Sequence, residues 1–217
     1  MLWRLIDKTK TIRPTTVGYA AWKPDLAEEG FHQCVYCAID ENTFGSIRNY
    51  HVEHYRPKAL PQFKHLRVDF DNLFYACSIC NGFKGDDWRD NDADVLNVVG
   101  YPDPSKTDYA DLFDVDEGGL ASGRFVSSEY IVRRLYLNRP QLISYRRKRA
   151  IDQLFDELRP RLSAQMDELL DLVVNGDVIA KELMKDAKNK GNNAIDCLVK
   201  LGRTVPHTAE QIKRQAV

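Results

Sequence analysis

Two Cys-x-x-Cys pairs, Cys34/Cys37 in CVYC and Cys77/Cys80 in CSIC, bracket the segment HVEHYRPKA at 51–59. A two-residue gap lets both thiolates of a pair turn toward one ion from a tight knuckle, and two knuckles complete a tetrahedral four-sulfur zinc site. Such a site is closed, because four thiolates leave no coordination position for a substrate. Zinc there holds structure. Chemistry then falls to what the zinc clamps, the His-, Glu- and Asn-rich stretch from Tyr50 to Gly85.

That stretch carries the residue types that phosphodiester hydrolysis requires. A general base must take a proton from water, and a divalent cation must neutralise charge on the phosphate and the leaving oxygen. Histidine, with an ordinary pKa of about 6.5, suits the first task. A hard cation such as Mg²⁺ or Mn²⁺ takes oxygen from a carboxylate and an amide, or a second histidine. Glu53 and His54 are adjacent, and adjacent strand residues point to opposite faces. Their convergence on one ion therefore needs a bulge, a metal-centred turn or irregular backbone. Asn81 directly follows Cys80, so the second knuckle fixes its position, and it can also cap the helix that follows.

At these residues the chain resembles the HNH endonuclease family, whose fold is called ββα-metal. Glu53-His54, Asn72 in DNLFYAC and Asn81 in CNGFKG carry the resemblance, together with both zinc knuckles. The resemblance implies His54 as general base, Glu53 as catalytic-metal ligand and Asn81 as the second ligand. Asn72 would stitch the two strands or the loop that orients His54. His51 reads either as a further metal ligand or as hydrogen-bonded scaffold. Lys84, in the Cys-Asn-x-x-Lys pattern, would sit near phosphate, with Arg56 and Lys58 as further nucleic-acid contacts. Glutamate stands at 53 where the family more often has aspartate, which lengthens that ligand by one methylene. DNA is the expected substrate, with RNA as the alternative. VEHYRPKA together with LNRPQLISYRRKRA also resembles the HNH subunits of Septu and retron-associated anti-phage systems. That likeness implies an ATPase partner, since this chain has no GxxxxGK[ST] phosphate loop of its own. The competing reading is a non-catalytic zinc module that binds nucleic acid or a protein partner; such a module needs no trio of Glu53, His54 and Asn81.

The elements that position these residues can be read more coarsely. The 217 residues are 43% hydrophobic and 29% charged, with a formal net charge of −1, so no global attraction to nucleic acid follows from charge. The local balance is uneven. Acidic side chains dominate from Asp86 to Glu117, and basic ones from Arg133 to Arg161, including Arg146 and Arg147 as candidate phosphate contacts. An anionic partner on one face is consistent with this asymmetry. Four of the five cysteines are in the two pairs and the fifth is Cys197, and metal-binding thiols fit a reducing, cytoplasmic setting. No window approaches the roughly 18 apolar residues of a membrane span.

Pattern predicts a helix near Pro24–Glu29, a strand over Asn49–Tyr55, and a short helix or loop-to-helix segment over Asn72–Phe83. A β-hairpin is expected within Leu112–Phe125. A helix capped by Ser127 or Ser128 should run through Tyr136, with Asn138-Arg139-Pro140 ending it and opening the next. A stripe from Ile151 to Val173 reads as one helical face, kinked or split by Pro160. The expected architecture is α+β: a zinc-stapled ββα-metal unit at 1–100, a turn-rich connector at 101–126, and a mainly helical region at 127–217.

Overall fold

The computed structural model describes residues 2–9, 18–89, 95–174, 179, 182–190 and 193. The fold is mixed α and β and divides into two compact units, Met1–Ile143 and the chain from Ser144 onward. The turn-rich segment at 101–126 lies within the first of these units. Tyr101, Tyr109, Leu112, Phe113 and Ala121 of the connector are buried, so the turn-rich segment is part of the first unit's core.

In the first unit, β1 (Tyr50–His54) pairs antiparallel with β2 (Leu73–Cys77), in an unbroken register from Tyr50 opposite Cys77 to His54 opposite Leu73. Sequence pattern assigns helix or loop to the β2 region, and the structure corrects this. All five β2 residues are buried, so the period-two alternation of a half-exposed strand is absent and LFYAC reads as an undifferentiated apolar run. Tyr50 and Tyr75 stack across the pair, with ring centroids 4.5 Å apart and planes 10° from parallel. Helix α1 (Lys23–Glu29) lies against the same pair. Helix α2 (Ser78–Lys84) follows β2 without an intervening loop, and Gly85 stops it at φ 52°, where its N–H reaches the Asn81 carbonyl at 2.9 Å.

The first knuckle is tied to the sheet by the Val35 N–H, which donates to the Tyr75 carbonyl at 2.9 Å. Buried tyrosines around it find partners for their hydroxyls, as burial of a polar tip requires. Tyr50 donates to the Ile39 carbonyl at 2.7 Å, Tyr55 to Tyr101 at 2.8 Å and Tyr109 to Pro102 at 2.8 Å.

The hairpin of β3 (Phe113–Val115) and β4 (Ala121–Gly123) leads into α3 (Val126–Arg134). The Phe125 N–H donates to Ser128 Oγ at 2.9 Å, so Ser128 satisfies the helix start. A Cβ on Gly123 would stand 2.1 Å from the Glu129 nitrogen, which is why α3 can close onto the hairpin. Helix α4 (Pro140–Val174) begins at the expected proline and continues through Pro160. A proline removes one backbone donor; of the two expected effects, kink or split, the helix is not split there. Within it Leu154 is exposed, and Ile151, Phe155 and Leu158 are only partly covered. Cys197, Gly176 and Gly191-Asn192 lie outside the described residues. Among the described residues, no helix is long and apolar enough to cross a membrane.

Candidate metal centre and the cleft beside it

The sulfurs of Cys34, Cys37, Cys77 and Cys80 converge, all within 4.8 Å of one another and all buried. Sulfurs placed ~2.3 Å from a central ion stand ~3.8 Å apart in a tetrahedron. The Cys37 and Cys77 sulfurs are 3.8 Å apart, well beyond the ~2.05 Å of a disulfide. The donor set therefore fits a metal such as zinc. The second knuckle is reinforced by the Cys80 N–H, 3.4 Å from the Cys77 sulfur.

A side chain that sequence reasoning placed only in a basic run completes this centre. The Arg139 guanidinium lies on the cluster, with Nη2 at 3.6 Å from Cys37, 3.8 Å from Cys77 and 3.6 Å from Cys80, and Nη1 at 3.7 Å from Cys80. Nη1 also donates to the Leu135 carbonyl at 3.2 Å. Burial alone would make this guanidinium easier to deprotonate, but the sulfurs of Cys80, Cys37 and Cys77 reverse that and raise its pKa. Four thiolates around a dication carry a net charge of about −2, and Arg139 offsets part of it. No spacing rule points to such a residue, because its partners are 59 and 102 positions away.

The chemistry-bearing residues sit on β1 and α2. Glu53 and His54 follow one another in regular pairing with no bulge, so their side chains leave the strand on opposite faces. Glu53 is buried at 3% exposure. Its Oε1 receives Lys84 Nζ at 2.8 Å and the Tyr36 hydroxyl at 3.1 Å. Burial pushes the Glu53 carboxyl above its ordinary value, with Lys84 and Tyr36 pulling the other way. Lys84 is fully buried and also donates to the His54 carbonyl at 3.1 Å. The expectation that Lys84 sits near phosphate is thereby corrected. A cation committed to a buried carboxylate and a carbonyl has no exposed face to offer.

His54 is buried at 7% exposure. Its Nε2 is 3.1 Å from the Arg67 carbonyl. A carbonyl only accepts, so Nε2 carries the hydrogen and Nδ1 keeps its lone pair; the tautomer is assigned from this contact. Burial pushes the imidazole pKa down to about 4, helped by the charges of Lys58, Lys84 and Arg67 and opposed by the Arg67 carbonyl. At neutral pH the ring is therefore uncharged. Tyr19, which sequence reasoning passed over, meets the ring edge-on at 4.8 Å. Lys58 Nζ donates to the Tyr19 hydroxyl at 2.5 Å, which lowers the pKa of that phenol.

Asn72 ties down the segment after β1. Its Oδ1 accepts from the Arg56 N–H at 2.8 Å, and its Nδ2 donates to the carbonyls of Arg56 at 3.0 Å and Leu66 at 3.3 Å. This anchors both ends of the loop whose Arg67 carbonyl holds His54. Asn81 meets His51, Nδ2 to Nδ1 at 3.2 Å. A cleft of about 160 Å³ is lined by Glu53, His54, Lys58, Asn81 and Asp86. Asp86 was missed because nothing in its spacing marks it. Among the described residues, the four cysteines are the group of His, Cys, Asp and Glu side chains that converges as a metal cage. Arg146 and Arg147 belong to the unit beginning at Ser144, where Arg146 is buried and Arg147 exposed.

In comparisons with known proteins, no family model, no curated protein and no solved structure matches the chain.

Proposed function

We propose that this chain is a metal-dependent endonuclease of the HNH kind, hydrolysing phosphodiester bonds in DNA. The observation that carries the reading is the placement of His54: its Nε2 is held 3.1 Å from the Arg67 carbonyl, and the residue lines a cleft with Glu53 and Asn81. A histidine built only for packing has no need of an oriented basic nitrogen beside a cleft that also holds a carboxylate and an amide. In this reading His54 takes the proton of the attacking water. Glu53, Asn81 and His51 would hold a Mg²⁺ or Mn²⁺ ion, which supplies charge neutralisation at the phosphate and leaving oxygen. Both hydrogen bonds to Glu53 end on Oε1, so it is Oε2 that Glu53 would offer to an ion. Zinc on Cys34, Cys37, Cys77 and Cys80 would tie the first knuckle to the junction of β2 and α2, and Asn72 fixes the loop behind His54. An ATPase partner of the anti-phage type belongs to the same proposal, and rests on sequence likeness alone.

The test is cleavage of plasmid DNA and of tRNA by the zinc-loaded chain with Mg²⁺ or Mn²⁺, against His54→Ala. The expected result is a loss of about 10²–10⁴-fold in rate for the variant, with the fold retained; retained cleavage removes His54 as the base. One observation favours a second reading, a non-catalytic zinc module: Glu53 is already committed to a buried pair with Lys84. Calorimetry separates the two, since the nuclease requires a divalent-cation event beyond zinc that disappears in Asn81→Ala.

A further inference from the structure

Arg56 is an anomaly that the site so far described does not use. Its Nε is buried without a hydrogen-bond partner among the described residues. The guanidinium carbon lies 5.8 Å from the Phe63 ring and 6.0 Å from the Trp88 ring. Trp88 is itself held edge-on by Tyr55 at 5.0 Å and by Phe63 at 5.4 Å. The aromatic frame therefore fixes where the cation stands. Its main chain is fixed as well, both N–H and C=O being taken by Asn72. A buried donor left unpaired is costly, and a guanidinium held this firmly without an acceptor is a group waiting for an oxyanion.

The surroundings say which kind. Arg56 opens on a cleft of about 200 Å³ that also presents Arg89, Lys106 and Thr107 against a single carboxylate, Asp103. That carboxylate is already engaged. Its Oδ1 accepts from the Ser105 N–H at 2.9 Å and the Ser105 hydroxyl at 2.7 Å, and its Oδ2 lies 3.8 Å from Lys106 Nζ. Three cations, a hydroxyl and a spoken-for carboxylate favour an oxyanion with more than one acceptor oxygen, as a phosphate has. A second cleft, on which Arg56 also borders, holds Asp69 and Asp71 as well and is the poorer anion site.

We infer that Arg56, with Lys106 and Arg89, forms a phosphate-binding subsite that takes a backbone phosphate of the nucleic acid next to the one placed at His54. The inference deepens the nuclease reading and rests on it for the identity of the phosphate's owner. Arg56 is two residues beyond His54, so their Cα atoms are within ~7 Å along extended chain. Such a contact reads no sequence; it sets the register of the strand in the site.

The test is binding of a labelled DNA duplex by the full zinc-loaded chain, without added divalent cation so that nothing is cut, across a salt series. Arg56→Met keeps the stem between Phe63 and Trp88 and removes the charge. It is expected to weaken binding about tenfold on unrelated sequences alike, and to reduce the salt slope by about one, while Arg56→Lys retains most of the slope. Unchanged affinity and slope in a folded Arg56→Met overturn the subsite. Should Arg56→Met fail to fold, Lys106→Met at an exposed position serves the same comparison. Saturable binding of inorganic phosphate that is lost in Arg56→Met while the DNA slope is unaltered overturns the nucleic-acid assignment. An Arg56-dependent slope in a chain that never cleaves upholds the subsite and removes the nuclease; cleavage with an Arg56-independent slope does the reverse.

Discussion

Lys84→Met should destabilise the first unit by about 3–5 kcal/mol, the usual cost of removing one partner from a buried ion pair. Several observations set this scale. The side chains of Lys84 and Glu53 are 0% and 4% exposed and 2.8 Å apart, so solvent screening gives little relief. Methionine fills most of the lysine volume, so a cavity adds little. The hydrogen bond to the His54 carbonyl goes too, at about 1 kcal/mol. Against a total stability of ~5–15 kcal/mol, the loss is large enough to read directly. Urea unfolding of the zinc-saturated protein measures it as a shift in midpoint at constant slope. Burial raises the Glu53 carboxyl's pKa even with Lys84 and Tyr36 beside it, so the pair does not fully offset its own desolvation. The double variant Glu53→Gln/Lys84→Met should accordingly recover most of what either single variant loses, with a coupling of about 2 kcal/mol or more. A Lys84→Met cost below ~1 kcal/mol, with single effects that simply add, would refute the buried pair and restore Lys84 as a candidate for phosphate.

Cys77→Ser should lose zinc and lower the melting temperature, as metal analysis and circular dichroism would show, since a structural zinc contributes ~10–16 kcal/mol of apparent binding energy to folding. Arg139→Gln should keep the metal but release it to a chelator about tenfold faster or more, the range seen when outer contacts to metal ligands are removed; wild-type release kinetics would deny the guanidinium a role at the centre. Asp87 supplies a pH test. Burial would raise its carboxyl's pKa, but hydrogen bonds from Tyr130, Tyr101 and Arg134 outweigh burial and hold it below the ordinary value. A depressed folded pKa stabilises above the unfolded value of about 3.9 and is lost as pH falls through the folded one. Asp87→Asn should thus be less stable than wild type at pH 7, with the difference shrinking toward pH 3 in denaturation curves; a pH-independent difference would contradict the assignment.

What could be read beforehand followed from short-range rules. The Cys-x-x-Cys spacing alone brought four sulfurs together, because a knuckle is a local geometry repeated twice. The break at Asn138-Arg139-Pro140 was legible because proline is tolerated at a helix start. Strand β2 was not legible, because a strand buried on both faces has lost the alternation that identifies strands. Lys84 was misplaced for a related reason: a lysine is solvated by default, and only the tertiary position of Glu53 turns it inward. Arg139 and Arg56 differ from other arginines only in what surrounds them, thiolates in one case and aromatic rings without an acceptor in the other, and neither environment is written within a few residues of the side chain.

The order in which the parts of the metal centre leave the ribosome has a consequence of its own. Cys77 follows Cys37 by 40 residues, and Arg139 follows Cys80 by a further 59. His51, Glu53, His54, Asn72, Asn81 and Lys84 all precede Gly85. A nascent chain therefore presents all four thiolates before the arginine that covers them, or any of α4, has been synthesised. Any hold on the metal that depends on Arg139 arrives only after the four sulfurs that bear it.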